Sequence, residues 1–275
     1  MKRILVPTDF SKESKNALRV AAQLAKKYDG EIFLLHMLEL PLQQIESLSI
    51  EGTDLPEAMF FVKLAQQRFE ELLNEDYLKG VSVRDKVEVF QNFGDIIKIC
   101  KQHDIDMIVM GSHGASGLKE MFIGSNTEKV VRSSDIPVLV IKNHHEEFDV
   151  NSFVFASDFK NDNKETYKQA TEFASLFNAK LHLVMVNTAN RFITTAKAEN
   201  RIHKFIEGND FKNYDITIYN DITVEQGILN FSQSINADLI GISTHGRQGI
   251  AHFLNGSISE DLVNHAKRPV ITFKI

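Results

Sequence analysis

Two short segments of this chain hold the residue types that could do chemistry. Gly111-Ser112-His113-Gly114 continues through Ala115-Ser116-Gly117 to Gly124-Ser125-Asn126, and then into an apolar-periodic stretch containing Val130 and Val131. Glycines permit positive φ angles and close backbone approach, so amide N–H groups can converge on one point, and a helix start adds about half a positive charge. Together these favour phosphate. The second segment, Pro7-Thr8-Asp9, offers a hydroxyl and a carboxylate directly after an apolar run. Such glycines also serve as ordinary turns, and Ser125 also suits a helix cap. Position favours the phosphate reading, because both segments follow runs that read as parallel strands, and ligands of open parallel sheets bind beyond the carboxyl ends of the strands.

Short apolar runs alternate with amphipathic stretches, the pattern of strands joined by crossover helices in a mostly parallel sheet. In the first half strands are expected at Arg3 to Pro7, Glu31 to Met37, Lys86 to Phe90, Met107 to Met110 and Pro137 to Ile141. Between the first two, Ala17, Val20, Ala21, Leu24, Ala25 and Tyr28 make one apolar stripe at helical period, with Ser11 placed to cap the helix and Asp29-Gly30 to end it. In the second half strands are expected near Ser152 to Ser157, Lys180 to Val186, Asp215 to Tyr219, Leu239 to Ile242 and Pro269 to Lys274.

The chain repeats itself. Asp9, Ala21 and Ala25 face Asp158, Ala170 and Ala174 without a gap. Near the end of each half Asp106, His113, Gly114, Gly117, Gly124, Ser125, Glu128 and Pro137 face Asp238, His245, Gly246, Gly249, Gly256, Ser257, Glu260 and Pro269. The unit is far longer than a solenoid repeat, so each copy should be a complete domain, 1–143 and 150–275, with the polar Asn143-His144-His145-Glu146-Glu147 as a solvated linker.

A length of 275 residues with 43% apolar and 25% charged residues fits two soluble globular domains. A formal charge of -6 argues against a duplex nucleic-acid surface, which needs Lys and Arg to neutralise phosphates. One cysteine, Cys100, cannot form an internal disulfide, and no run reaches the roughly 18 apolar residues of a membrane helix. Only four apolar residues follow Met1-Lys2-Arg3 before Thr8, short of the apolar region of a secretion signal. A cytoplasmic protein without nucleic-acid or membrane partners is expected.

Gly111-x-x-Gly114, nine residues, then Gly124-Ser125 resembles the ATP-binding signature of the nucleotide-binding universal stress proteins. Ile4-Leu5-Val6-Pro7-Thr8-Asp9-Phe10-Ser11, Leu34-Leu35-His36-Met37 and Ser134-Asp135-Ile136-Pro137-Val138-Leu139-Val140 resemble that family's first, second and last strands. The resemblance covers nearly the whole chain, twice. It implies an α/β fold of two Rossmann-like domains, of the adenine nucleotide alpha hydrolase-like kind, each a five-stranded parallel sheet of order 3-2-1-4-5. Last strands are often paired between two such domains, so the halves here could form an internal pseudo-dimer, with a homodimer of whole chains also open.

Carried over by position, the resemblance puts Pro7, Thr8 and Asp9 on the adenine and ribose side and the Met37 backbone at the adenine edge. Gly111, Gly114, Gly124, Ser125 and Asn126 would then hold ribose and phosphates of ATP, ADP or AMP, with Mg²⁺ or Mn²⁺ as a phosphate-bound counterion. The second half, with Ser157, Asp158, Val186, Ser243, Gly246, Gly256 and Ser257, is a degenerate candidate. There Ala156 and Ser157 replace Pro7 and Thr8, and Ser243 replaces Gly111. A side chain at Ser243 is expected to restrict the backbone where phosphate approaches, although Arg247 adds charge nearby.

Other features read as structural. His113 and His245 have no nucleophile or paired carboxylate beside them, so loop bracing is expected rather than base catalysis. The contiguous His144-His145-Glu146-Glu147 run cannot easily wrap one ion, no protein-caged metal is expected, and Cys100 reads as packing. Phe60, Phe61, Leu64, Phe69 and Leu72 are expected to pack a helix onto the sheet. These readings favour an adenine-nucleotide-binding regulator of the stress response acting through conformation or association. Hydrolysis would be weak at most, since no dedicated base or arginine finger is evident. Two alternatives stay open: a ligand-independent protein-interaction module, and an ATP-dependent enzyme, although the Walker A lysine motif is missing.

Overall fold

The run Arg3–Pro7 is extended as β1, with Ile4, Leu5 and Val6 fully buried between two layers of helix. In this computed structural model residues 2–39, 56–90, 94–112, 124–160, 164–244 and 262–274 are described. Helix α1 (Lys12–Tyr28) follows β1 at once. The Ser11 hydroxyl accepts from the Ser14 amide at its start, and at its end Asp29, rather than Gly30, takes the left-handed conformation at φ 51°. A short polar side chain tolerates that region, and the Gly30 amide closes the expected Asp29-Gly30 turn by donating to the Ala25 carbonyl.

The first half continues through β2 (Glu31–Glu39), α2 (Pro56–Leu73), β3 (Ser82–Phe90), α3 (Gly94–Gln102), β4 (Met107–Gly111), α4 (Ser125–Ser133) and β5 (Val138–Ile141). The second repeats the alternation with β6 (Ser152–Ala156), α5 (Lys164–Phe177), β7 (Lys180–Asn187), α6 (Thr195–Ile206), β8 (Tyr214–Asn220), α7 (Val224–Ser234), β9 (Leu239–Thr244) and β10 (Val270–Lys274). Strand β3 begins four residues before the expected Lys86. It lies at the sheet edge, where Arg84, Asp85 and Lys86 stay exposed, so its first half shows little apolar pattern.

All the strands belong to one ten-stranded sheet of order β3-β2-β1-β4-β5-β10-β9-β6-β7-β8. Within each half the order is the expected 3-2-1-4-5, and neighbours pair in parallel. The halves meet at β5 and β10, which pair antiparallel with Val270 opposite Val140 and Thr272 opposite Val138. Both cores cross this seam. On one face α1, α2, α5 and α6 bury a layer that runs from Leu18 and Phe69 through Leu139 and Ile271 to Phe153 and Phe205. On the other, α3, α4 and α7 cover Ile108, Val140, Val270 and Ile240.

The segment between the halves keeps Asn143, His144, Glu146 and Glu147 exposed to solvent, as expected of a linker, but its backbone is held against α1. The Gln23 side chain donates to the carbonyls of His145 and Glu146 and accepts from the Phe148 amide at 2.6 Å, while Phe148 and Val150 enter the core. The His144 ring lies against the Arg19 guanidinium and 2.9 Å from the Glu146 carboxylate. Along α2 the expected stripe is buried only in part. Ala65, Phe69 and Leu72 are covered, whereas Phe60 and Phe61 are exposed beside Met59. Apolar spacing places residues on one helix face, but how much of that face the sheet reaches is a tertiary matter. Among the described residues no helix is long and apolar enough to cross a membrane.

Candidate functional site

Strand β1 lies between β2, the next strand in sequence, and β4, which belongs to the other wing of the first half's sheet. The chain therefore leaves β1 and β4 toward opposite faces, and the crevice beyond their carboxyl ends is the natural ligand position of such a sheet. The residues after β1 form a tight turn. The Thr8 hydroxyl accepts from the Phe10 amide at 3.0 Å, the Asp9 carboxylate accepts from the Ser11 amide at 3.1 Å, and Phe10 is held at φ 63°. A left-handed aromatic residue is strained by about 1 kcal/mol or more, and the two side-chain bonds together with ring packing hold it. Phe10 packs on His36 and Phe69, with ring centroids 4.7 and 5.2 Å away.

His36 was not among the residues singled out by sequence. Its Nδ1 donates to the Thr8 carbonyl at 2.8 Å, and burial is the main cause that lowers its pKa, so the ring at this point is neutral at neutral pH. It belongs to the Leu34-Leu35-His36-Met37 run, and a polar residue inside an apolar strand was the available signal. Met37 lies beyond the last paired residues of β1 and β2, Pro7 and Leu35. The β1-facing edge of its backbone therefore borders the space that β1 has left.

At the end of β4 the two ends of the glycine segment come together. The Gly124 amide donates to the Ser112 carbonyl at 2.8 Å, and the Thr127 hydroxyl donates to the Gly111 carbonyl at 2.8 Å, which seats the first turn of α4 against the strand end. Gly124 is the N-cap of α4, and Ser125 and Asn126 follow with exposed side chains. Ser112, part of the glycine segment, and Thr127, which sequence had not singled out, are both buried and complete this junction. Thus Pro7, Thr8 and Asp9 stand at the end of β1, Gly111 and Gly124 to Asn126 at the end of the adjacent β4, and Met37 on β2. His113, Gly114 and Gly117 lie outside the described residues.

Gly111 also has a structural duty that sequence did not show. It is a strand residue paired with Ile141, and an added Cβ would stand 2.8 Å from both the carbonyl carbon and oxygen of Glu13 in the first turn of α1. The glycine lets a helix start close on the strand. Gly111→Ala is accordingly expected to destabilise the protein by about 1–3 kcal/mol, the usual cost of overpacking, read from urea denaturation midpoints. An unchanged midpoint would mean that α1 gives way freely.

The second half repeats the turn. The Ser157 hydroxyl accepts from the Phe159 amide at 3.0 Å, the Asp158 carboxylate accepts from the Lys160 amide at 3.3 Å, and Phe159 has φ 52°. One difference matters. Asp158 lies 3.0 Å from the Lys160 ammonium, but the change is at Ser243, which stands at the place of Gly111 with its hydroxyl 2.8 Å from the Thr166 hydroxyl. The Ser243 side chain is thus accommodated by its own hydrogen bond. Val186 packs against Gly227. Gly246, Gly256, Ser257, His245, Gly249 and Arg247 lie outside the described residues.

Among the described residues there is no group of three or more His, Cys, Asp or Glu side chains able to hold a metal ion. Burial pushes the Cys100 thiol up to about 12, far from a reactive thiolate. Cys100 also lines a cleft of about 270 Å³ with Ile97, Lys101, Asp104 and Asp135. That cleft is at the amino end of β4, away from the crevice, and plays no part in it.

Fold and crevice define a protein of two like-wound α/β halves joined in a single sheet, with a glycine-flanked strand end beside a carboxylate-bearing turn. The family model of the universal stress proteins matches residues 1–142 and 217–274, and the chain belongs to that family. A universal stress protein of Methanocaldococcus jannaschii is 35% identical over 153 residues, covering 51% of this chain and 94% of that protein. Another, from Synechocystis, is 23% identical over the full length of both chains. The crystal structure of a universal stress protein from Archaeoglobus fulgidus superposes with a TM-score of 0.74 at 24% identity, covering 99% of this chain and 98% of that one, and shows the same fold.

Proposed function

We propose that the first half binds an adenine nucleotide and that occupancy, rather than turnover, is the signal the protein passes on. One observation carries this reading: the ends of the glycine segment, Gly111-Ser112 and Gly124-Ser125-Asn126, are bonded together at the end of β4, next to the strand whose turn presents Asp9. The start of α4 supplies the amides and positive helix end that a phosphate needs. Asp9 and Thr8 suit the ribose side, and the backbone edge of Met37 suits the adenine. The spacing that resembles the family's ATP signature supports the same choice. A divalent ion, Mg²⁺ or Mn²⁺, would be carried by the phosphates of the ligand.

In this reading residues 1–143 and 150–275 are two domains, the second a weaker candidate because Ala156 and Ser157 stand in place of Pro7 and Thr8, and Ser243 in place of Gly111. The cytoplasm is the proposed site of action. Calorimetric titration of the full chain with ATP, ADP and AMP tests the proposal, with native mass spectrometry of freshly purified protein to detect a retained nucleotide. Saturable binding of one nucleotide per chain is expected. No binding at millimolar ATP by a folded protein would refute it, and rapid turnover would make the protein an enzyme instead. Among the described residues, the exposed Met59, Phe60 and Phe61 grouped on α2 favour a ligand-independent interaction role as the second reading.

A further inference from the structure

Lys142 and Lys274 are counterparts in the repeat, each five residues beyond the proline that precedes its half's last strand. Both reach across the β5–β10 seam. Lys274 Nζ donates to the carbonyl of Ser134, the C-cap of α4, at 3.4 Å, and stands 3.9 Å from the Asp135 carboxylate with its side chain 16% exposed. Asp135 is also held by Lys101 at 3.1 Å. In the opposite direction Lys142 Nζ donates to the carbonyl of Asn264, in the helical turn at 262–265, at 3.1 Å. Each half therefore sends a cation to the carbonyl end of the helical segment that follows the other half's glycine segment.

Burying a cation is costly unless something nearby offsets it. For Lys142 burial pulls the ammonium down to about 8, and among the described residues no carboxylate raises it again. What faces it is the carbonyl end of a helical turn, where a positive charge is favourable. The same arrangement at both related positions, each at the end of its half's last strand, is hard to explain by packing, which an aliphatic residue would serve better.

We propose that Lys274 is a positioning residue for the first half's site: the last strand of the second half anchors the carbonyl end of α4 and so sets where the amides of Gly124, Ser125 and Asn126 stand. Lys142 makes the reciprocal contact. Helix α4 has nine residues, a rigid rod of about 13 Å, fastened near its start by the Thr127 bond to Gly111 and at its end by Lys274. Freeing the end lets the rod tilt about that first fastening, next to the ligand. A second half with a degenerate glycine segment would thus remain part of the first half's site.

The inference rests on the nucleotide reading, and its test separates the two. In the full chain, Lys274→Met is expected to weaken ATP binding about three- to tenfold, the effect of one partly buried cation at a helix end. Lys274→Arg should restore it, and Lys274→Gln keeps a donor without the charge should the methionine variant not fold. Amide exchange across 130–136, followed without nucleotide, should quicken in Lys274→Met. Unchanged ATP affinity in a folded Lys274→Met or Lys274→Gln protein overturns the proposal, even if thermal stability falls. If the native protein binds no ATP, the nucleotide reading fails by itself. Exchange then decides the anchor: faster exchange in the variant supports it, and unchanged exchange overturns it.

Discussion

Gly124→Val is expected to weaken ATP binding by about thirtyfold or more, roughly 2 kcal/mol, while the melting midpoint hardly moves. Gly124 has φ -57° and ψ 138°, a conformation open to any residue, so no backbone strain accompanies the change. Its amide bond to Ser112 and its carbonyl bond from the Glu128 amide are both backbone interactions and survive the substitution. Valine is a poorer N-cap than glycine, but the difference is about 1 kcal/mol at most. What changes is the space in front of the first amides of α4, which a branched side chain would fill. Calorimetry and thermal melts on the same preparation separate the two effects. Unchanged affinity would move the site away from α4, and a collapse of the melt would reduce Gly124 to a structural glycine.

Residues 1–145 expressed alone are expected to dimerise or precipitate, whereas the full chain stays monomeric. In the whole protein Val138, Leu139, Val140 and Ile141 are all at most 1% exposed, because β10 covers the outer edge of β5 and both core layers continue past it. Removing the second half leaves an apolar edge strand with unpaired amides and carbonyls, which is an aggregation hazard. The native pairing there is antiparallel, so a second β5 can take the place of β10 across a two-fold axis. In the intact chain the tether holds β10 at a high effective concentration and excludes that pairing. Analytical ultracentrifugation decides between these outcomes. A fragment that is monomeric and soluble at high concentration would show that the seam is a convenience of the duplication, not a need.

Much of this molecule was legible from local pattern. The bounds of β1, the stripe and Ser11 cap of α1, and the alternation of strand and helix all follow from residues a few positions apart, where periodicity and capping act. The order of the strands followed from the family resemblance, and the candidate residues at the ends of β1 and β4 from the spacing of glycines and Asp9. Elsewhere local pattern misled or was silent. Asn143 to Glu147 is as polar as any free linker, yet Gln23, 120 or more positions earlier, binds it to α1. Gly111 read as a phosphate glycine, and only the approach of Glu13 shows what a side chain there would strike. His36 gained its role from the Thr8 carbonyl, and Lys274 from the end of a helix in the other half. Propensity and periodicity act between neighbours in sequence and can be read along the chain. The partner of a buried polar group is chosen by which surfaces meet when the sheet closes, and only the tertiary structure decides that.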